Sequence, residues 1–389
     1  MSILFPLPQS LPRPLQRWIL LRRPEGNFRL GNGWLSAWLC TLFGALSLLG
    51  VLVFNFPAWL TIPELRAGYD IALMRAGLAG LMIACGTFGL FAIANRRLLP
   101  ALAGLAMLAL SAAFGGADTP LGSLDAAPAY IGLDWFIIGL LTTGGLFILL
   151  EKLAPLRPEQ PVLRAEWMLD MKHFFFMHLM LGGYLALTNA LLVWGLDWAR
   201  VESLTSMVSA LPVWLQLLAI MLAVDLVEYA IHRAYHAGGF LWRIHAVHHS
   251  SRQMDWLASS RLHVLEALFT RTATLAPIFL LGFDQAAVNL YALLIGVHAT
   301  FIHANVRWQF GWLEHVFVTP RHHHWHHADH PEAINTNFAV HFSFIDRIFG
   351  TLYMPQGWPE DYGISGEHPG HSYRGQTLYP FRPLIDAAV

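Results

Sequence analysis

The organisation of this chain follows from three short segments: HRAYH at His232–His236, HAVHH at His245–His249 and HHHWHH at His322–His327. Sixteen of its twenty histidines lie between His232 and His341. Neutral imidazole is the commonest metal ligand in proteins, and histidines at short fixed spacings indicate a metal site. Three such segments offer more ligands than one ion can hold, so the sequence predicts a site for two metal ions.

Helical spacing explains how these histidines could converge on two ions. His232 and His236 are four residues apart, which places both rings on one face of a helix. His245 and His249 share a face in the same way, whereas His248 points about 100° away from His249. Adjacent histidines can therefore serve two ions, one on each side.

The three segments and their flanks resemble the membrane fatty acid hydroxylase and sterol desaturase superfamily, whose members carry H-x(3,4)-H, H-x(2,3)-H-H and H-x(2,3)-H-H boxes. The resemblance covers residues 222–354. A single H-x-x-H-H motif is a weak signal, but three boxes in order, with matching flanks, are specific. The flanks outside the boxes are LWRIHAVHHS (Leu241–Ser250), RLHVLE (Arg261–Glu266), IHAN (Ile302–Asn305) and IDRIFGTLY (Ile345–Tyr353).

The resemblance implies ten metal ligands, eight of them from the boxes. His303 matches a further family histidine, and His263 matches a histidine of the sterol-type branch. Some hydroxylases instead place a histidine four residues before the equivalent of His303, where this chain has Ala299. We therefore expect His263 to supply the tenth ligand. The predicted set is His232, His236, His245, His248, His249, His263, His303, His323, His326 and His327.

Carboxylates and amides around the boxes are expected to orient the ligands, because a ligating imidazole usually donates its second N–H to such a group. Asp225 and Glu228 share a helical stripe with His232, and an isolated protonated acid is the alternative role for either. Glu266 and Asn305 match family positions expected to hold the ligand loops. Asn337 and Asp346 match others, although Asp346 could equally form a surface ion pair. Supporting positions, not ligation, are expected for His298, His315, His322, His324, His330 and His341.

The composition is typical of a polytopic membrane protein. The chain has 389 residues, 56% hydrophobic and 13% charged, against about 25% charged in soluble domains. A net charge of −1 without a basic stripe gives no indication of nucleic-acid binding. Cys40 and Cys85 lie in apolar segments, which predicts small core residues and neither a disulfide framework nor a thiolate site.

Apolar segments and arginine positions predict the topology. The proline-interrupted first thirty residues are interpreted as a cytoplasmic arm and not as a cleavable signal peptide. Lys and Arg residues before the first segment, at 96–97 and at 152–172 place the N-terminus, the C-terminus and the histidine boxes on the cytoplasmic side. Eight segments approach the length of a membrane span: 34–55, 76–94, 98–114, 131–150, 173–196, 212–231, 265–282 and 286–303.

Two domains are expected on either side of the linker Glu151–Val162. Residues 1–165 contain about four spans and no histidine, and they form an accessory membrane region whose role the sequence does not reveal. Residues 166–389 contain every histidine and form the catalytic domain. The fold is predicted to be an all-α integral membrane protein with a cytosolic helical cap that carries the two metals.

The function implied by the resemblance is O2-dependent, di-iron hydroxylation or desaturation of a membrane lipid. Oxidation of unactivated C–H bonds needs a redox metal, so zinc would be an inert replacement. The chain has no dinucleotide fingerprint or fused haem or iron–sulfur motif. Electrons from NAD(P)H are therefore expected through a separate carrier, such as cytochrome b5 or a ferredoxin.

Two questions stay open at this point. The substrate could be a sterol, carotenoid, fatty acyl, sphingoid or ether lipid. The alternative function is a non-catalytic metal transporter or sensor. A transporter would need polar residues along a path through the spans, whereas these histidines cluster at one membrane face.

Overall fold

The computed structural model describes residues 33–66, 68–95, 98–125 and 130–382. These residues form α-helices, short 3-10 helices and loops, with two isolated bridges and no β-strand among them, which confirms the predicted all-α class. The proposed cytoplasmic arm and the arginines at 96–97 lie outside the described residues. The helices are α1 (Trp34–Asn55), α2 (Pro57–Leu60), α3 (Pro63–Arg66), α4 (Ile71–Ala94), α5 (Leu98–Ala113), α6 (Leu133–Leu153), α7 (Trp167–Leu179), α8 (Leu181–Leu196), α9 (Glu202–Ser209), α10 (Val213–Tyr235), α11 (Gly239–His249), α12 (Val264–Leu281), α13 (Gln285–His303), α14 (Pro320–His326), α15 (Ser343–Ile348) and α16 (Tyr373–Leu378).

Six described helices are long and apolar enough to cross a membrane, namely α1, α4, α6, α10, α12 and α13. Helices α7 and α8 add a seventh if they count as one span, although they are bent by 54° where they meet. Helix α5, predicted as a span, has 16 residues and is shorter than a typical crossing. Multiple apolar helices thus support the predicted multi-pass membrane protein.

The first compact unit comprises Met1–Asp134. In its described part α1 packs against α4 and α5. Helices α1 and α5 approach each other at two glycines: a Cβ on Gly44 would lie 2.4 Å from the Gly104 carbonyl oxygen. Small residues commonly let membrane helices approach this closely. Cys40 and Cys85 are buried here as free thiols, as the sequence suggested.

The second compact unit comprises Trp135–Val389. Helix α10 packs against α12 and α13, and α12 also packs against α8. The buried core between α10 and α13 includes Ile220, Val224 and Ile302. Residues after α13 form short helices and loops, and α14 packs against α13. This arrangement brings the C-terminal ends of α10 and α13 close to α11 and α14, which carry the histidine boxes.

The linker Glu151–Val162 belongs to this second unit and packs against its later residues. The Glu151 carboxylate accepts hydrogen bonds from the backbone N–H groups of Trp256 and Asn305, at 2.7 and 3.0 Å. The Asn305 side-chain oxygen accepts from the Arg157 backbone N–H at 2.8 Å. These contacts explain why the second unit begins at Trp135, earlier in the chain than the boundary expected at residue 166.

Candidate metal centre

Four helix segments carry the candidate ligands. His232 lies in the last turn of α10 and His236 immediately follows it. The second box occupies the C-terminal half of α11, and His303 is the last residue of α13. In the third box His323 and His326 lie on α14 and His327 immediately follows it; α14 begins at Pro320, a residue suited to the first turn of a helix. The helical spacing predicted from the sequence is therefore present in all three boxes.

The structure brings nine of the ten predicted ligands together in two groups, in each of which one nitrogen per ring lies within 4.8 Å of the others. One group takes a histidine pair from each of the first two boxes and one ring from the third. The other combines His303 with rings of the second and third boxes. The five-histidine group is His232, His236, His245, His249 and His326, and the four-histidine group is His248, His303, His323 and His327. His248 and His249 serve different groups, as their helical angle predicted.

Backbone carbonyls fix the orientation of four of these rings. The Nδ1–H groups of His232 and His326 donate to the carbonyl oxygens of Phe338 and Thr336, both at 2.8 Å. The Nδ1–H of His248 donates to Arg261 at 3.1 Å, and that of His303 donates to a carbonyl of its own helix. A carbonyl oxygen carries no proton, so Nδ1 is the protonated nitrogen in each ring. The Nε2 atoms therefore present lone pairs to the centre of each group.

The distances between these Nε2 atoms fit a bound cation. Nε2 of His248 lies 3.2 Å from Nε2 of His303, and both present lone pairs, which cannot hydrogen-bond to each other. Nε2 of His323 lies 3.0 Å from those of His303 and His327. Metal–nitrogen bonds of about 2.1 Å at right angles would separate adjacent ligand atoms by about 3.0 Å. A divalent metal between the rings therefore accounts for the spacing.

Unsatisfied nitrogens support the same interpretation in the larger group. Nε2 of His236 and Nε2 of His326 are buried and have no hydrogen-bond partner. Nε2 of His245 lies 3.1 Å from that of His232 and 3.0 Å from that of His249. Buried polar atoms are normally satisfied, and imidazole nitrogens suit iron, zinc, copper and nickel. The residues of both groups fit transition-metal ions.

Burial keeps the candidate ligands in the neutral form that binds metals. Desolvation, and then the charges of neighbouring histidines, holds the pKa of His245, His248 and His249 well below the ordinary value. Burial likewise lowers the pKa of His236 to about 3. These rings therefore remain unprotonated at neutral pH, so that no proton competes with a metal for their nitrogens.

Two of the predicted orienting acids reach the ligands by different routes. Glu266 accepts directly from Nδ1 of His245 at 2.7 Å. Asp225 does not contact His232, with which it shares a stripe. Its carboxylate instead accepts from three successive backbone N–H groups, at 2.6–3.0 Å, in the segment Val340–Phe342. That segment follows Phe338, whose carbonyl orients His232, so Asp225 acts through the backbone.

The other predicted supporting residues also stabilise loops. Asp346 accepts from the backbone N–H groups of Phe338 and Ala339, at 2.8 and 3.0 Å. Asn337 donates to the His322 and Tyr353 carbonyls. Asn305 holds the linker described above. Glu228 makes no hydrogen bond to a described residue.

His263, predicted as the tenth ligand, lies outside both groups. Its Nδ1 accepts from the Leu265 backbone N–H at 3.1 Å and caps the start of α12. Its Nε2 donates to the Thr377 carbonyl at 3.0 Å. Both ring nitrogens are therefore used in hydrogen bonds, and this geometry does not support ligation by His263.

Histidines that were not predicted as ligands make ordinary buried contacts. His298 donates from Nε2 to the Val318 carbonyl at 3.0 Å. His322 lies 3.2 Å from the Asp346 carboxylate. His324 hydrogen-bonds to Tyr362 at 2.7 Å. None of the three belongs to either metal group found among the described residues.

A buried ion-pair network fixes Arg261, whose carbonyl orients His248, and it was not predicted from the sequence. The Arg261 side chain is fully buried and pairs with Asp170 on α7 and with Glu166. Arg164 binds Asp170 at 2.5 Å and Asp255 at 2.7 Å. Arg261 is also the residue whose carbonyl orients His248. Its position in RLHVLE was visible in the sequence, but its acidic partners lie far away in the chain.

Residues 362–377, called here the C-terminal segment, pack beside the helices that carry the metal groups. Tyr362 contacts His324, and Arg157 lies over the Tyr362 ring at 5.0 Å. Gln376 bonds through its side-chain oxygen to His173 at 2.8 Å and donates to Ser250 at 3.2 Å. With Thr377 bound to His263, these contacts fix the segment against α7, the end of α11 and the start of α12.

Comparison with known proteins gives one family match and several relatives. Residues 217–351 match the family model described as fatty acid hydroxylase. The ornithine lipid hydroxylase OlsE of Rhizobium tropici is 34% identical over 158 residues, 39% of this chain and 46% of that protein. Alkylglycerol monooxygenases of Xenopus tropicalis and Danio rerio are 29% and 33% identical over 43% and 38% of this chain, and 35% and 32% of their own lengths. Each match spans less than half of the relative, and no solved structure gives a significant match.

Proposed function

We propose, from the match of residues 217–351 to the fatty acid hydroxylase family model, that the chain belongs to this family and is an O2-dependent, di-iron lipid hydroxylase. The observation that carries the proposal is the convergence of nine imidazole nitrogens into two adjacent groups. The relatives support hydroxylation more than desaturation, because their names describe a hydroxylase and monooxygenases. The substrate is proposed to be a membrane lipid.

The proposed reaction converts R–H, O2, two electrons and two protons into R–OH and water. The metal pair, when bound, supplies the redox chemistry that activates O2, which side chains alone cannot provide. We propose His232, His236, His245, His249 and His326 as ligands of one iron, and His248, His303, His323 and His327 as ligands of the other. The two electrons come from NAD(P)H through a separate carrier of the cytochrome b5 or ferredoxin type.

The chain's own residues keep this site rigid and dry. Carbonyls and Glu266 hold five of the nine ligand rings in one tautomer, and eight of the nine rings are buried. The second group has four histidines against five in the first. With one histidine fewer, the second group would leave more room for a small reactant at a bound ion, in line with catalytic sites that keep an open position.

A metal transporter or sensor fits the geometry less well. All nine nitrogens lie at one end of α10 and α13 and on short helices outside the spans. A transporter would need ligands distributed along the spans. We further propose that the histidine boxes and both termini face the cytoplasm, where the electron carrier would be found.

Metal analysis combined with isotope labelling tests the function. Iron-supplemented protein should contain about two iron ions per chain, since the structure offers two groups. Membranes with the active protein, incubated under 18O2, should contain a lipid heavier by one labelled oxygen, absent from membranes with His323→Ala. A folded, iron-supplemented protein with one ion or none would contradict the di-iron assignment. A product lacking two hydrogens and containing no label would identify a desaturase.

A further inference from the structure

Three polar side chains lie within the span helices of the second unit and form no hydrogen bond with a described residue: Glu228 on α10, Arg271 on α12 and Tyr184 on α8. Glu228 is half-buried and Arg271 is exposed. The Tyr184 side chain is only 6% exposed, yet its hydroxyl has no partner. Ionisable residues inside membrane spans are rare and mark functional pathways or binding sites.

The three groups are neighbours. The residues on either side of Arg271 contact both neighbouring helices: Thr270 hydrogen-bonds to Tyr235 of α10 at 2.9 Å, and Thr272 hydrogen-bonds to Thr188 of α8 at 3.2 Å. Arg271 also interacts electrostatically with Glu228 and Tyr184, and α12 packs against both α8 and α10. No ion pair, however, joins the guanidinium to the carboxylate. An unpaired charge in an apolar environment is costly. These opposite charges, close but unbonded, are therefore suited to a ligand that pairs with both.

The local backbone is also irregular. The bent pair α7–α8 breaks at Met180, and Tyr184 lies in the first turn after the break. Irregular backbone at membrane depth is tolerated where it is buried in protein or lines a cavity. The break and the three polar side chains therefore bring polar groups together within an otherwise apolar bundle.

These polar groups lie close to the metal groups along both helices. Glu228 precedes His232 by four residues, which corresponds to about 6 Å along the axis of α10. Arg271 follows Glu266, the partner of His245, by five residues, or about 7.5 Å along α12. An extended chain advances about 1.2 Å per bond. If a lipid binds its polar group here, the carbons about five or six bonds from that group lie at the same depth in the bundle as the metal groups.

On the basis of the proposed function, we propose that Arg271, Tyr184 and Glu228 bind the polar group of the lipid substrate. Arg271 and the Tyr184 hydroxyl bind its carboxylate or phosphate oxygens. Glu228 accepts from an amine or hydroxyl beside that anion. The carbon that is hydroxylated then lies within a few bonds of the polar group and not near the far end of the hydrocarbon chain.

Ligand binding tests this site without relying on turnover. Equilibrium dialysis of the purified full-length protein in detergent would compare labelled decanoate, decyl phosphate and decanol, which share one chain length. The wild type should bind one of the two anions about tenfold or more tightly than decanol, since a charge-assisted hydrogen bond has about that effect. The preferred anion distinguishes a carboxylate from a phosphate group.

Variants then assign the preference to named residues. Arg271→Gln should remove the anion preference, and Arg271→Lys should keep part of it. Arg200→Gln is the matched control, because Arg200 is an arginine of the same unit that already pairs with Asp197. Tyr184→Phe should weaken binding of the anion but not of decanol.

Glu228→Gln separates the two halves of the proposal. This substitution removes a negative charge that repels an anion, so decanoate should bind more tightly. By contrast, 2-aminodecanoate should bind less tightly, because its ammonium group loses an ionic partner. An anion preference that survives Arg271→Gln, or its absence from the wild type, would overturn the site. If the preference follows Arg271 but 18O2 labelling yields no product, the binding site stands and the hydroxylase assignment fails.

Discussion

At the level of single residues, the two nitrogens of several metal-facing histidines have separate roles. In His232, His248 and His303 the Nδ1–H donates to a backbone carbonyl, and Nε2 faces the group. The carbonyl selects the tautomer and holds the ring at one angle. His263 has the opposite character: both of its nitrogens are used in structural contacts.

This difference predicts the metal content of two variants. His303→Ala removes one of four ligands from the smaller group, and the protein should lose about one of two ions. His263→Ala should keep both ions, because both of its ring nitrogens bond to backbone groups and not to a metal group. Elemental analysis of purified protein measures this directly.

Thermal unfolding is the control, since His263→Ala also removes the cap of α12. A missing N-cap costs about 1 kcal/mol of stability, so a modest loss is expected without loss of metal. If His263→Ala released as much metal as His303→Ala, His263 would have to be a ligand after all.

At the level of elements, two buried acids hold the segment between α14 and α15. Asp225 binds three backbone N–H groups of that segment, and Asp346 binds two others. Residues 338–342 include no proposed metal ligand, yet the Phe338 carbonyl orients His232 and the Phe338 ring packs 5.1 Å from that of His236. Its conformation therefore affects the larger metal group.

Asp225→Ala should loosen this segment. Three buried donors would lose their acceptor, and an unsatisfied buried group costs about 1–3 kcal/mol, so a loss of about 3 kcal/mol or more is expected. Amide hydrogen exchange should increase at residues 338–342, and the unfolding temperature should fall. Asp197→Ala, at an exposed acid of the same unit, should change neither. Unchanged exchange at 338–342 in the Asp225 variant would contradict the assigned role.

The sequence predicted contacts that repeat at helical spacing and missed those made across long separations. The pairs at four-residue spacing in the boxes fall into the groups that the pattern suggested, because local geometry alone places them. The role of His263 depends on Thr377, 114 residues further along the chain, which no local pattern reveals. The same holds for the ion pair between Arg261 and Asp170, 91 residues apart.

At the level of the whole molecule, the metal-bearing ends of α10 and α13 lie together. We predict that they face the cytoplasm with both termini. Cysteines introduced at Arg252 and Gly357, both exposed, and at Ser2 should react with a membrane-impermeant reagent from the same side. The native Cys40 and Cys85 are buried and should give little background. Labelling of position 252 from the opposite side to position 2 would overturn this topology.

Acid sensitivity is a second property of the whole fold. Burial, and then the charge of His298, lowers the pKa of His341 to about 3. Between that value and the ordinary value of about 6.5, the unfolded chain holds one more proton at this residue than the folded chain. Stability should therefore be complete above pH 6.5 and fall on acidification, by up to about 1.4 kcal/mol per pH unit from this residue.

His341→Gln should flatten that dependence by the same slope, measured as the free energy of unfolding between pH 5 and 7.5. Tyr291→Phe is the matched variant, because it removes the hydroxyl that contacts Nε2 of His341 at 3.1 Å and leaves the ring in place. It should shift stability by a constant amount and keep the slope. An equal slope in the His341 variant and the wild type would show that this histidine does not titrate on unfolding.

The contacts of the C-terminal segment have a consequence for biosynthesis. The hydrogen bond of His263 needs Thr377, and those of His173 and Ser250 need Gln376. Gln376 and Thr377 follow all the described span helices in the chain, so they are synthesised later than those helices. The contacts around His263 therefore form late in synthesis, and a chain that stalls before residue 376 would leave this side of the histidine groups open to water and to any cation of the cell.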